Sequence, residues 1–241
     1  MLDLRTISQY QASVDRIKLD LESSRFWHDF VGNLREVGDA YLLKTTYPLF
    51  PSDPHPVLVT KPFESAIGKS YRKNVLENPN WPDSPRGGWI LPGTWLEQLN
   101  DVIRTYVVVK YLDGVEYLAD RLTTYASGVG AEARVDLEAR EEGYYAAHLY
   151  VRREYEVPRP NWDTQRIRVD LEVQITTQLQ EVIRRLTHGY YERRRSQSGV
   201  PVRKWQWDYE SDEFVTNYLG HILHYVEGMI MDIRKREARS E

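Results

Sequence analysis

The chain of 241 residues has a net charge of −4, and 41% of its residues are hydrophobic while 28% are charged. This balance indicates a soluble globular protein with a sizeable core, and the negative charge excludes a general polyanion-binding surface. The lack of cysteine excludes thiol catalysis, cysteine-ligated zinc and disulfides. No apolar run reaches bilayer length and no signal-peptide pattern opens the chain, so we expect a cytoplasmic protein with no membrane partner.

The first third of the chain contains helical patterns and one cluster of phosphate-binding residue types. Apolar residues recur at helical spacing from residue 8 to about residue 37 and predict one long or two short helices. A short β-branched stretch, 57–60, precedes a helical pattern over residues 64–74. Lys61, Ser65 and Lys69 lie around the start of that helix, where free N–H groups and the helix dipole favour anions. Lysines at such a place are more often only solvated charge.

Three further elements follow in the middle of the chain. Asp101 opens a buried strand that ends near residue 109, and the spacing over residues 113–125 predicts a helix. Residues 131–140 alternate between apolar and polar and should form a hairpin with the strand that starts after Gly143. In that second strand, Tyr144 and His148 share the polar face.

The next strand has the strongest alternation in the sequence. Between residues 166 and 176, apolar residues occupy one face, and Glu172 and Gln174 lie on the other. A polar sheet face with a carboxylate, an amide, an aromatic ring and an imidazole suits a nucleotide site. On alternation alone, a half-solvated antiparallel sheet is the simpler interpretation.

The last part of the chain is helical and contains one basic–aromatic cluster. Apolar residues at helical spacing predict a helix over about 179–190 and another after Ser211, which has the features of an N-cap. Between them lies the cluster, which suits a nucleic-acid backbone but is more often solvated surface: Arg193, Arg194, Arg195, Arg203, Lys204, Trp205 and Trp207.

Three motifs, taken together in this order, resemble the synthetase domain of the RelA/SpoT alarmone synthetases. They are a glycine–tyrosine–x–x–x–histidine strand, a glutamate–x–glutamine strand and a helix with a histidine and a tyrosine: Gly143, Tyr144 and His148; Glu172 and Gln174; His188 and Tyr190. The resemblance covers about residues 57–191. It implies an α+β fold of the nucleotidyltransferase-like type, with a mixed, largely antiparallel sheet of about five strands flanked by helices.

The resemblance also implies roles for individual residues. Glu172 would act as general base and, with Asp101, would hold Mg²⁺, the expected cofactor. Lys61, Ser65 and Lys69 would bind the phosphates of ATP, and Arg104 would add positive charge. Tyr144 would stack on the base of the acceptor nucleotide, with His148 and Gln174 orienting that acceptor.

Four positions depart from the pattern of this family. Arginine is expected at Val59, Tyr106 and Thr176, and asparagine is expected at Glu142. The loss at Val59 affects the contact with the adenine of ATP, and Glu142 places an acid beside the acceptor pocket.

Three functions therefore remain open. The first is pyrophosphate transfer from ATP to GDP or GTP, which makes (p)ppGpp. The second is a toxin-type relative that modifies an adenine nucleotide or the 3′ end of tRNA and that could have an antitoxin partner. The third is a non-catalytic nucleotide-binding or interaction protein. We rank catalysis first because Asp101, Tyr144, Glu172 and Gln174 are all present.

The domain division follows the limits of the resemblance. We predict an N-terminal helical segment over residues 1–45, a synthetase-like domain over 46–195 and a C-terminal helical extension over 196–241. The sequence leaves a homo-oligomer open.

Overall fold

Helices open the chain in the computed structural model, which describes residues 4–158, 163–195 and 204–238, the stretch 187–195 as backbone only. Of the two predicted arrangements, the structure has two helices, α1 (Leu4–Glu22) and α2 (Arg25–Thr45). The break falls at Ser24, whose hydroxyl accepts a hydrogen bond from the Trp27 N–H and caps α2.

Within the described residues, five strands and five more α-helices follow. The strands are β1 (Val59–Thr60), β2 (Ile103–Val109), β3 (Glu132–Ala139), β4 (Tyr145–Pro158) and β5 (Thr164–Thr177). The helices are α3 (Phe63–Tyr71), α4 (Trp95–Gln98), α5 (Leu112–Gly128), α6 (Gln178–Arg195) and α7 (Asp212–Glu237). A π-helical turn continues α3 through residues 72–76. No helix within the described ranges contains an apolar stretch long enough to cross a bilayer.

The strands form one mixed sheet in the order β1-β2-β5-β4-β3. Among the strands that the structure describes, the β2–β5 pair is parallel and the other three pairs are antiparallel. The predicted α+β fold with a largely antiparallel five-stranded sheet is therefore confirmed.

One face of the sheet packs into the main core. Side chains from two strands and three helices in this core are almost entirely shielded from solvent: Val14, Leu34, Leu118, Leu149 and Val173. Because side chains alternate along a strand, the opposite face receives the polar residues of β2, β4 and β5. Burial of the apolar face thus fixes the face on which the polar residues gather.

Two buried charged residues fasten the C-terminal half of helix α7 to the rest of the protein. Near its end, Arg234 lies 4.1 Å and 4.3 Å from the ring centres of Tyr47 and Tyr111 and binds the Asp113 carboxylate at 3.0 Å. Further toward its start, Glu227 is buried beside Thr177 and His224. Burial raises the pKa of the Glu227 carboxyl to about 6, although a hydrogen bond with Thr177 opposes the shift.

The pKa of Glu227 predicts that Glu227→Gln stabilises the protein at neutral pH. The pKa of this carboxyl is 4.5 in the unfolded chain and about 6 in the folded protein. Its ionisation therefore lowers the free energy of unfolding as the pH rises through this range. The neutral amide avoids ionisation in the core. We expect about 1–2 kcal/mol higher unfolding free energy at pH 7.5, measured by urea denaturation. Equal stabilities of variant and wild type at pH 7.5 would contradict this account.

Candidate active site

Strand pairing aligns the predicted site residues in two rows across the polar face. The first row contains one residue from each strand, Val59, Arg104, Glu172, Tyr150 and Arg134, in the order of the strands. The next row contains Tyr106, Gln174, His148 and Asp136. The sequence predicted which face these side chains share, and the pairing shows which of them are neighbours.

Glu172 lies at the centre of these rows and is almost completely buried, with 3% of its surface exposed. His148 Nδ1 lies 2.7 Å from one carboxylate oxygen, and Gln174 Nε2 donates to the other at 3.0 Å. Two donors from neighbouring strands therefore hold the carboxylate in a single orientation. The Tyr150 hydroxyl also hydrogen-bonds this carboxylate. Because a carboxylate has about four lone-pair sites, three such bonds still leave it able to accept a proton.

The contacts of His148 define a chain of hydrogen bonds. A carboxylate can only accept, so the Nδ1 that faces Glu172 carries the hydrogen. In the neutral ring the other nitrogen, Nε2, then accepts from the Tyr144 hydroxyl at 3.2 Å. One hydrogen-bond network thus links Tyr144, His148 and Glu172. Its central residue, His148, is buried, with 5% of its surface exposed.

A second cluster lies at the end of the sheet where β1 stops and β2 begins. The Asp101 carboxylate binds Lys61 Nζ at 2.7 Å and Lys69 Nζ at 2.9 Å. Lys61 follows β1 directly and its backbone N–H donates to Val102, whereas Lys69 comes from helix α3. Two ammonium groups and one carboxylate give this cluster an excess of positive charge.

The ionisation of the Asp101 cluster follows from its burial and its charges. Burial alone would raise the pKa of Asp101, but Lys69 and Lys61 outweigh it and lower the pKa to about 2. Burial lowers the pKa of Lys61, and Asp101 offsets part of that effect. Asp101 is therefore a carboxylate at neutral pH, and Lys69 reaches the cluster from a partly exposed position.

Two other predicted donor-side residues, Ser65 and Arg104, form no hydrogen bond or ion pair with Asp101 in the part of the chain that the structure describes. Ser65 is exposed in the first turn of α3. Arg104 lies on the polar face in the same row as Glu172, and its guanidinium is 5.5 Å from the ring centre of Tyr106. The predicted residues thus fall into two groups, one around Glu172 and one around Asp101.

The sequence interpretation did not include Arg184, which lies at the same site. Its guanidinium lies 4.7 Å from the ring centre of Tyr106 and is held by the Glu181 carboxylate at 2.6 Å and 2.9 Å. Tyr106, which occupies a position where the family has arginine, is therefore flanked by Arg104 and Arg184. The Glu181–Arg184 spacing of three residues on a helix was the available signal.

The other departures have different surroundings. Val59 pairs directly with Arg104, so an arginine occupies the neighbouring position on β2. Thr176 is buried, and its hydroxyl donates to the Tyr145 carbonyl at 3.3 Å. Glu142 lies partly exposed in the β3–β4 turn, directly before Gly143.

Part of the predicted site falls outside the described side chains. This applies to His188 and Tyr190 of the third motif and to four arginines of the basic–aromatic cluster: Arg193, Arg194, Arg195 and Arg203. Of the remaining cluster, Trp205 packs edge-on against Tyr218, and Trp207 is 78% exposed at the start of the C-terminal region.

The carboxylates of the site are the candidate ligands of the predicted magnesium ion. Within the described residues, no three Asp, Glu or His side chains gather into a metal site. Mg²⁺ in phosphoryl-transfer sites needs only one or two carboxylates, because substrate phosphates and water supply the other ligands. The ionised Asp101 and the oriented Glu172 are the residues that could hold such an ion.

Comparison with known proteins identifies the fold. No protein-family model matches the sequence, and no curated protein matches it significantly. Among solved structures, small alarmone synthetase 1 from Bacillus subtilis, bound to its product pppGpp, matches with a TM-score of 0.55 and 15% identity over 97% of both chains. The chain has the fold of the small alarmone synthetases.

Two further structures agree with this identification. Small alarmone synthetase 2 from Bacillus subtilis has a TM-score of 0.51 and 16% identity, over 95% of this chain and 97% of that chain. A GTP pyrophosphokinase family protein from Streptococcus pneumoniae has a TM-score of 0.52 and 20% identity, over 98% of both chains. The likeness to a small alarmone synthetase extends through the N- and C-terminal helices, which the sequence motifs did not cover.

The ion pairs of Asp101 predict that Asp101→Asn destabilises the protein. The pKa of Asp101 falls from 3.8 to about 2 on folding. The ionised carboxylate therefore adds its full contribution to the free energy of unfolding above pH 3.8, and this contribution is lost as the pH falls towards 2. We expect the unfolding free energy of the variant to be lower by about 2 kcal/mol at pH 7 and the difference to shrink below pH 3.8. Urea denaturation at several pH values measures both effects.

The matched control is Asp29→Asn, which removes an exposed ion pair with Arg25. Exposed pairs contribute at most about 1 kcal/mol, so this variant should stay close to wild type. If both variants lose the same stability at pH 7, the Asp101 cluster has no special electrostatic role.

Proposed function

We propose that this protein is a nucleotide pyrophosphokinase that transfers the β,γ-pyrophosphate of ATP to the 3′-hydroxyl of a second nucleotide, GDP or GTP, to make (p)ppGpp. The observation that carries the proposal is the buried Glu172 carboxylate, oriented by His148 and Gln174, on the same sheet as the Asp101–lysine cluster. A base and a phosphate-binding cluster are the two elements that this reaction needs.

The donor would bind at the cluster of Lys61, Lys69 and Asp101. Its excess positive charge and its place beside helix α3 suit a triphosphate, which carries negative charge on each phosphate. Asp101 would hold the Mg²⁺ that neutralises these charges, with Glu172 as the second carboxylate. In this mode the lysines exchange part of their contact with Asp101 for contacts with phosphate oxygens.

The acceptor would bind along β4 and β5, with its base against Tyr144. Its 3′-hydroxyl oxygen attacks the β-phosphorus of ATP, the bond between the α–β bridging oxygen and the β-phosphorus breaks, and AMP leaves. Glu172 accepts the proton of the hydroxyl, while His148 and Gln174 keep the carboxylate pointing at it. Alignment and charge neutralisation carry most of the catalysis in reactions of this type.

Two of the four departures favour changes in substrate contacts. The pair of Arg104 and Arg184 around Tyr106 supplies guanidinium groups and an aromatic ring where the family has arginine, and these groups could take over the contact with the donor base. Glu142 places a carboxylate in the turn before Tyr144, which supports the alternative of an adenine nucleotide or a tRNA 3′ end as acceptor. ATP as donor agrees with the cytoplasmic location that the sequence predicts.

The proposal predicts that Glu172→Gln abolishes transfer without unfolding the protein. The amide keeps the shape of the side chain but cannot take the proton, and a positioned general base contributes about 10²–10⁴-fold to the rate. The assay uses ATP labelled on its terminal phosphates with Mg²⁺ and, in separate reactions, GDP, GTP, ADP, ATP and deacylated tRNA. Chromatography shows which acceptor becomes labelled.

The matched control is Glu156→Gln, because Glu156 is exposed on the same sheet and pairs only with exposed Arg166 in the contacts observed. It should transfer label at the wild-type rate. Near-normal transfer by Glu172→Gln would remove Glu172 from the mechanism. No transfer by wild type to any of the five acceptors would favour the non-catalytic nucleotide-binding function.

A further inference from the structure

Helix α7 touches the turn between β3 and β4, backbone against backbone. Gly143 ends this turn with φ of +76°, a conformation that favours glycine. A Cβ atom on Gly143 would lie 2.5 Å from the carbonyl oxygen of Asn217, and one on Gly220 would lie even closer to the carbonyl oxygen of Gly143. Both distances are far below van der Waals contact, so the approach requires glycine on both sides.

Two histidines of α7 add polar and stacking contacts to the same turn. His221 Nε2 lies 2.8 Å from the carbonyl oxygen of Glu141, which can only accept, so Nε2 carries the hydrogen. In the neutral ring, Nδ1 then accepts from the Tyr145 hydroxyl at 2.9 Å. The ring of His224 stacks on Tyr145 with 3.7 Å between ring centres and 5° between planes.

These contacts hold the residues on both sides of Tyr144. Gly143 is fixed by Gly220, and Tyr145 is fixed by His221 and His224. Since side chains alternate along β4, Tyr144 itself points to the opposite face, where its hydroxyl meets His148. The position of the Tyr144 ring therefore depends on how closely α7 approaches the turn.

We propose that α7 acts as a clamp that positions Tyr144, so that binding of the acceptor nucleotide, and not of ATP, depends on the Gly143–Gly220 contact. Gly220 and His221 are positioning residues that act through Tyr144. This inference rests on the proposed function, because the acceptor is the ligand that Tyr144 would bind.

The sheet order explains why ATP binding should be unaffected. The clamped turn joins β3 and β4 at one edge of the sheet, whereas Lys61 and Asp101 lie at the other edge, beside β1 and the start of β2. Strand β5 lies between the two groups of strands. A small displacement of the turn should therefore change contacts on the acceptor side and leave the donor cluster in place.

The test compares Gly220→Ala with Gly228→Ala. Both glycines lie in α7, but a Cβ on Gly228 meets no atom within 4 Å. We expect Gly220→Ala to raise KM for the acceptor at least about tenfold, since a misplacement of about 1 Å can cost up to 10²-fold. KM for ATP should change less than about twofold. Gly228→Ala should match wild type in both constants.

A second pair of variants covers the case in which Gly220→Ala fails to fold. His221→Ala removes both hydrogen bonds to the turn, whereas His221→Gln keeps an N–H donor and a carbonyl acceptor. The alanine variant should show the same selective rise in acceptor KM, and the glutamine variant should recover part of it. Equal rises in both KM values would show a structural role only and overturn the proposal.

Amide hydrogen exchange separates failure of the clamp from failure of the proposed function. Residues 140–145 should exchange faster in Gly220→Ala than in Gly228→Ala, and this readout needs no substrate. If wild type transfers no label, the proposed function fails, and calorimetric titration with GTP and with a non-hydrolysable ATP analogue replaces the KM values. Unchanged exchange of the turn in Gly220→Ala would overturn the clamp in either case.

Discussion

The pairing of β5 with β2 on one side and β4 on the other is the constraint on which the rest of the site depends. It places Glu172 beside Arg104 and Tyr150, and Gln174 beside Tyr106 and His148. A shift of one residue in either pair would turn Glu172 into the apolar core. The buried apolar faces of these strands prevent that shift, so the core that stabilises the fold also fixes the carboxylate of the site.

The donor and acceptor sides of the site are held by different parts of the chain. On the donor side, Lys61 is tied to helix α1, where the Tyr10 hydroxyl donates to its carbonyl oxygen at 2.8 Å. On the acceptor side, α7 contacts the turn before Tyr144. The terminal helices thus support opposite edges of one sheet, although neither contains a residue that the motifs identify.

Alternation and spacing predicted most of the fold from the sequence. The strands around Tyr144 and Glu172, the helix after Lys61 and the polar face were all read from periodicity. The parallel β2–β5 pair could not be read in this way, because periodicity contains no information on strand order. The same holds for Arg184 next to Tyr106 and for Gly220 against Gly143, which are contacts between elements far apart in sequence.

The most direct test of the account is the identity of the nucleotide products, followed by ³¹P NMR in a mixture of the protein, ATP, Mg²⁺ and GTP or the acceptor that becomes labelled. Pyrophosphate transfer predicts AMP and a 3′-pyrophosphorylated acceptor in equal amounts, formed at the same rate. Formation of ADP and inorganic phosphate would show attack at the γ-phosphorus, and a pyrophosphokinase function for this site would then be wrong.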